Sequence, residues 1–301
     1  MRDLPRAVLL LAALAAVVVF ALARPPAVPP PVMPAAADSA AFSAERARLP
    51  LRELTRSPRP VGSVAHAQTR AYLFDALRDL GLEPELQQAT AVRRKADTVR
   101  AARATNILAR LPGTDSSGAV VLVAHYDSVP NAPGAGDAGH GVAAILETVR
   151  ALKAGPPLRN DLIVLFTDAE EVGLLGAQAY VDAHPWAADT GVVLNAEGRG
   201  HAGPVHMFRT TANNGELIRA LGRHAPLDGI FIGDHIANDH VQIGECAAKK
   251  GKILFHARYC RLKAKLVFPI VWGKIVVEHI KVPFVECLFD DRAEYFLVLF
   301  A

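Results

Sequence analysis

The stretch FTDAEEVGLLG, residues 166–176, leaves an apolar run, sets down Asp168, Glu170 and Glu171, and returns at once to apolar residues. Paired glutamates are common on solvated helix faces, where they do no chemistry. Here they stand where a strand-like run stops, and two other apolar runs stop in the same way, VVLVAH at His125 and GVVLNAE at Glu197. A further acid, Asp137, lies in the Gly-rich turn PGAGDAGHG, residues 133–141. Ligands of open α/β sheets collect in the crevice beyond the carboxyl ends of the strands, so residues far apart in the chain become neighbours there. One such ending would be coincidence, but three together with Asp137 point to a divalent metal held by imidazole and carboxylate.

Each residue has a chemical reading and a plainer one. His125 and Asp127 are spaced i, i+2, which in an extended chain puts both on one face, so the acid can accept the second imidazole N–H and orient the ring on a metal. Alone, HYD would be a strand-end histidine in a hydrogen-bonded turn. Asp137 lies among small residues that let the backbone come close, and its two oxygens can bridge two metals; otherwise it is an Asx turn or a helix N-cap. Adjacent side chains diverge, so Glu171 can hold a metal while Glu170 faces the water to be activated and takes its proton. Two Zn²⁺ carry four positive charges, and Asp137, Glu171, Glu197 and a bridging hydroxide carry four negative ones. That balance makes a carboxylate cluster tolerable in a half-buried cleft. Two zinc ions per chain are therefore expected.

The elements that must position these residues are legible as alternating patterns. AHAQTRAYLFDALRDLGL (65–82) has helical spacing and a stop near Gly81, and GVAAILETVRALKAG (141–155) and VGLLGAQAYVDAHP (172–185) read as further helices. TNILARL (105–111), AVVLVAHYD (119–127), DLIVLFTD (161–168) and TGVVLNAE (190–197) read as buried strands. The alternation predicts an α/β fold, a three-layer α/β/α sandwich around a mostly parallel mixed sheet, with an atypical C-terminal part.

At these residues the chain resembles the zinc aminopeptidase family that also includes the glutamate carboxypeptidases. The resemblance rests on HYDSVP (125–130), APGAGDAGHGVAAILE (132–147), FTDAEEVGLLGA (166–177) and NAEGRGHAGP (195–204), in that order, and reaches back to PRPVGS (58–63), so that it covers about residues 50–228. It implies that His125, Asp137, Glu171 and Glu197 are metal ligands, Asp127 the orienting acid and Glu170 the general base of an aminopeptidase acting on peptides. NAEGRG, with Glu197 where many soluble members carry Asp, is most similar to membrane-anchored, vacuolar-type members. The chain departs from the family at Ala138 and His140, and it lacks the late histidine in a YHTPLDT-like loop that supplies the last ligand. His235, His240, His256 and His279 have no such context, so one metal position is expected to be weak or absent.

Two other readings keep the fold: a glutaminyl-cyclase-like zinc acyltransferase, which shares the HYDS and Glu-Glu pattern, and a peptidase remnant without activity. A dinucleotide site is disfavoured, because Gly134, Gly136 and Gly139 fit G-x-G-x-x-G but do not follow their strand directly. G-x-S-x-G and a P-loop are missing.

With 301 residues, 51% hydrophobic and 21% charged, the chain is globular, and a net charge of +3 is too small to argue for nucleic acid. The densest basic patch, Arg93, Arg94, Lys95, Arg100 and Arg103, has no interleaved aromatics and reads as a solvated loop. Arg2 and Arg6 precede seventeen uncharged residues, Ala7 to Ala23, followed by RPPAVPPPVMP. Residues 1–23 are an export signal or a short membrane anchor, and 24–40 a stiff Pro/Ala-rich linker. The metallopeptidase domain, 41–229, would then lie outside the cytoplasm, secreted or tethered to a membrane. Near Ile230 the composition changes: seven of the nine lysines follow residue 245, as do all three cysteines, and 230–301 reads as a divergent tail.

Overall fold

A computed structural model describes residues 4–22, 32–198, 206–210, 217, 219 and 295–300. In chain order the elements are α1 (Leu4–Leu22), α2 (Ala44–Leu54), α3 (Val64–Asp79), β1 (Glu85–Lys95), β2 (Thr98–Leu111), β3 (Ala119–His125), α4 (His140–Lys153), β4 (Leu162–Thr167), α5 (Glu170–Gly173), α6 (Leu175–Ala183), β5 (Thr190–Glu197), β6 (His206–Thr210) and β7 (Tyr295–Phe300). The sheet runs β1-β2-β4-β3-β5-β7-β6. Its centre is parallel, β4, β3, β5 and β7 side by side, and both flanks are antiparallel.

Strands buried on both faces must be apolar at every position. All seven residues of β3 and all six of β4 are buried. Their alternate side chains feed two separate cores. Val120, Leu122, Ala124, Leu162, Val164 and Phe166 meet Leu73 and Leu77 of α3 and Ile145, Leu146 and Val149 of α4. Val121, Val123, Ile163 and Leu165 meet Ala177, Tyr180 and Val181 of α6 on the opposite face. The expected three layers are present. Burying each of these large side chains contributes about 1.5–3 kcal/mol, and the parallel order brings the carboxyl ends of β3, β4 and β5 to one edge.

Local signals set the helix ends. Ser63 caps α3 by accepting from the His66 N–H at 3.1 Å. Beyond its last turn Gly81 takes a left-handed φ of +70°, which costs glycine least.

Two expectations change. The run 172–185 is not one helix, because Leu174, at φ +61°, breaks it into α5 and α6. The basic patch is not a loop: Arg93 and Arg100 face each other in the antiparallel pair β1/β2. The inward face of this hairpin carries small residues where it is buried, with Ala91 and Ala104 packing against Ala169, Leu175 and Ala179. Alanine gives strand periodicity little contrast, so the charged residues on both faces dominated the pattern.

No helix among the described residues is long and apolar enough to cross a membrane. Helix α1 has 19 residues, or about 28 Å at 1.5 Å per residue, just short of a hydrocarbon core of about 30 Å. Residues 23–31, most of the tail from 230 onward, the three cysteines and His235, His240, His256 and His279 lie outside the described residues. The tail enters the description as β7, parallel to β5.

A buried acid ties the segment before α2 to the sandwich. Glu147 of α4 accepts from the Ser43 N–H at 2.8 Å, from Arg46 at 2.9 Å and from Arg150 at 2.6 Å. Burial raises its pKa, but these donors win and hold it below the usual glutamate range. The stabilisation is present at neutral pH and is lost as pH falls through that depressed value. Glu147→Ala, which strands two arginines, should cost about 3 kcal/mol in urea unfolding at pH 7, and the difference from wild type should narrow below pH 4.

Candidate metal centre

Four strand-end or turn residues meet at the carboxyl edge. His125 closes β3 with its ring buried. Its Nε2 lies 2.9 Å from Asp137 Oδ1 and 3.2 Å from Glu197 Oε1. His125, Asp137 and Glu171 each offer a ligand atom, and these atoms lie within 4.8 Å of one another. Glu197, at the end of β5, reaches the same Nε2 beside Asp137.

Asp137 is delivered by a tight turn, Ala135–Gly139, between β3 and α4. Gly134 opens it at φ +60°, and a Cβ there would stand 2.6 Å from the Asp137 carbonyl oxygen. Only glycine fits. Glu170 and Glu171 start α5 immediately after Ala169, which is held in a left-handed conformation at φ +55°.

Asp127 does more than the sequence implied. Its buried carboxylate accepts from the Glu170 N–H at 3.0 Å and the Glu171 N–H at 3.2 Å, so it fixes the backbone of the glutamate pair. It orients His125 chiefly through its main-chain carbonyl, 3.1 Å from Nδ1, while its carboxylate stands at 3.5 Å.

Sequence reasoning missed three supporting residues. Asp168, at the end of β4, turns away from the cluster. Its Oδ1 meets His66 Nε2 at 2.8 Å and accepts from the Ala169 N–H at 2.7 Å, and its Oδ2 accepts from the Thr105 N–H at 2.7 Å. It thereby holds the left-handed turn that presents Glu170. His66 also stacks on Tyr126, ring centres 4.8 Å apart. The third residue is Arg59, fully buried, whose guanidinium donates to the carbonyls of Tyr126 at 2.7 Å, Leu54 at 3.1 Å, Gly134 at 3.2 Å and Pro133. Burial lowers its pKa, whereas Asp127, Glu171 and Asp137 favour its charge. The signal for Asp168 was its position, a fourth acid at a strand end; nothing in PRP marked Arg59.

The electrostatics follow from crowding. Burial pushes Glu170 up to about 8, with Glu197, Asp127 and Glu171 adding to the rise against the pull of His125. Burial raises Glu171 and Glu197 as well. His125 is held well above its usual value, because hydrogen bonds to Asp127, Asp137 and Glu197 outweigh burial. An imidazole whose Nε2 meets two carboxylates, with a third close by, has the donor set of a zinc-type site, and a cation there would relieve the repulsion. His140, which departs from the family pattern, has both ring nitrogens buried without a good hydrogen-bond partner among the described residues.

Residues 106–237 match the profile of Peptidase family M28. A vacuolar membrane protease of Candida albicans is 36% identical over 168 residues, 56% of this chain and 20% of the relative. One from Eremothecium gossypii is 30% identical over 211 residues, 64% of this chain and 21% of the relative. The chain thus spans about a fifth of the length of the curated relatives it matches. Among solved structures, a zinc aminopeptidase from Bacillus subtilis superposes with a TM-score of 0.57 at 17% identity, over 69% of this chain and 84% of that one. A Porphyromonas gingivalis glutaminyl cyclase gives 0.55 at 22% identity, over 69% and 79%. These two share the fold. The glutamate pair, the Asp137 turn and three of the strand ends described above all fall within residues 106–237, the stretch that is similar to Peptidase family M28.

Proposed function

We propose that the chain is a zinc-dependent exopeptidase, an aminopeptidase that removes N-terminal residues from peptides. The observation that carries this reading is the convergence of His125, Asp137, Glu171 and Glu197 on one point, with Glu170 buried beside it. His125, Asp137, Glu171 and Glu197 would hold the metal, which when bound polarises the scissile carbonyl and lowers the pKa of water towards about 7. Glu170 accepts the proton of the attacking water and passes it to the leaving amine, so that one peptide bond is exchanged for a carboxylate and an amine. Asp127 keeps Glu170 and Glu171 in register, and Arg59 holds the arch at Pro133 and Gly134 from which Asp137 projects. The relatives' name associates them with a membrane, in keeping with tethering through the N-terminal segment and a peptidase domain outside the cytoplasm.

The second reading is a glutaminyl-cyclase-like acyltransferase, favoured by the likeness in fold to the Porphyromonas gingivalis enzyme. The same Glu170 would then move a proton from the substrate's α-amine to its leaving ammonia. Cyclisation of Gln-peptides set against release of N-terminal residues separates the two.

Glu170→Gln should leave zinc content unchanged and lower turnover of aminoacyl reporter substrates by about two to four orders of magnitude. Unchanged turnover would remove Glu170 from the reaction. A carboxyl raised to about 8 in the fold binds its proton more tightly than the unfolded chain does, so stability must fall as pH rises from about 4.5 to 8. Protein treated with chelator should accordingly melt at a lower temperature at pH 8 than at pH 5.5, and added zinc should reverse the loss at pH 8.

A further inference from the structure

The register of the sheet gives the site a wall. Strand β2 pairs with β4 only from Ile107, opposite Phe166, to Leu111, opposite Leu162. Residues 98–106 therefore run on past the carboxyl end of β4, the edge where the metal cluster lies, and carry β1 with them as a hairpin. On its inner face Arg93 and Arg100 are direct cross-strand partners. Like charges so placed repel, and surface arginines normally splay into water. These two instead reach back to the turn that follows Glu171, with Arg100 still exposed. Arg93 Nη1 donates to the Gly173 carbonyl at 3.2 Å and Arg100 Nη1 to the Val172 carbonyl at 3.4 Å, on the residues that directly follow Glu171. Gly173, at φ +137°, makes the room, since a Cβ there would stand 3.1 Å from Arg100 Cδ.

Each guanidinium has five N–H donors, of which these contacts use one. Among the described residues no carboxylate pairs with either arginine. Two adjacent forks, anchored by one arm each and lacking a counter-ion, match the geometry of a carboxylate.

We propose that Arg93 and Arg100 form a carboxylate-binding subsite on the rim beside Glu171, which gives the site a preference for short peptides with a free carboxylate. The inference rests on the aminopeptidase reading, in which all but the first residue of the substrate extends away from the metal on the leaving-group side. The carboxylate is either the substrate's own C-terminus or an acidic side chain near the cleaved bond.

The test uses full-length, zinc-loaded protein and four tripeptides: free acid or C-terminal amide, each with Glu or Gln at the third position. Wild type should show a KM about tenfold lower for peptides with a carboxylate than for the amide with Gln. Arg93→Gln/Arg100→Gln should raise KM for the carboxylate peptides to that of the neutral one, with kcat and hydrolysis of a neutral aminoacyl reporter unchanged. Arg93→Lys/Arg100→Lys should restore part of the preference. Selectivity between the Glu amide and the Gln acid identifies the source of the carboxylate. Equal KM values for all four peptides in wild type, or loss of neutral and charged peptides alike in the Gln variant, overturns the subsite. Calorimetric binding of the same peptides to Glu170→Gln protein separates the two ideas. Carboxylate-selective binding with no turnover by wild type sinks the peptidase reading and keeps the subsite; turnover without selectivity does the reverse.

Discussion

The cost of gathering carboxylates in a partly buried cleft governs this structure. Asp127, Asp137, Glu170, Glu171 and Glu197 crowd around one imidazole, and burial together with the neighbouring carboxylates raises Glu170, Glu171 and Glu197. Asp127 stays tolerable because two backbone amides donate to it. Asp137 is drawn below its usual range, since its bonds to His125 and Glu197 overcome burial. Arg59 adds a positive charge close by while giving its hydrogen bonds to main-chain carbonyls, so it offsets the field without occupying any carboxylate oxygen. The oxygens are left for a cation.

That arrangement explains how rigidity is distributed. His125 and Glu197 sit where regular strands end, while Asp137 and the glutamate pair stand on turns held by other side chains. Asp168 is the clearest case. It joins α3, through His66, to β2, through Thr105, and stabilises the left-handed Ala169 that aims the glutamate pair. Position at a strand end makes an acid available to the cluster, but the direction of the turn decides whether it faces the cluster or braces the backbone beside it.

The strands and the main helices were legible in the sequence because parallel strands buried on both faces are continuous apolar runs, and their ends, where His125 and Glu197 stand, contrast with polar residues. The hairpin was not, since Ala91 and Ala104 carry its buried face and alanine marks neither strand nor loop. The division between α5 and α6 was hidden for a related reason: Leu174 has no local reason to be left-handed, and the constraint comes from the packing of Leu175 and Ala179 under the hairpin. Arg59 was invisible because its partners are backbone carbonyls distant in sequence. The spacing of His125 and Asp127 placed them on one face, but the grip of Asp127 on the glutamate amides depends on a fold-level juxtaposition that spacing does not encode.

The clasp at Glu147 has a mechanical side. Helix α4 begins where the Asp137 turn ends, and two turns further along, the same helix is bolted to Ser43 and Arg46. Ser43 caps α2 and Arg46 lies in its first turn, so this ionic anchor fastens the start of α2, and with it the chain arriving from upstream, directly to α4.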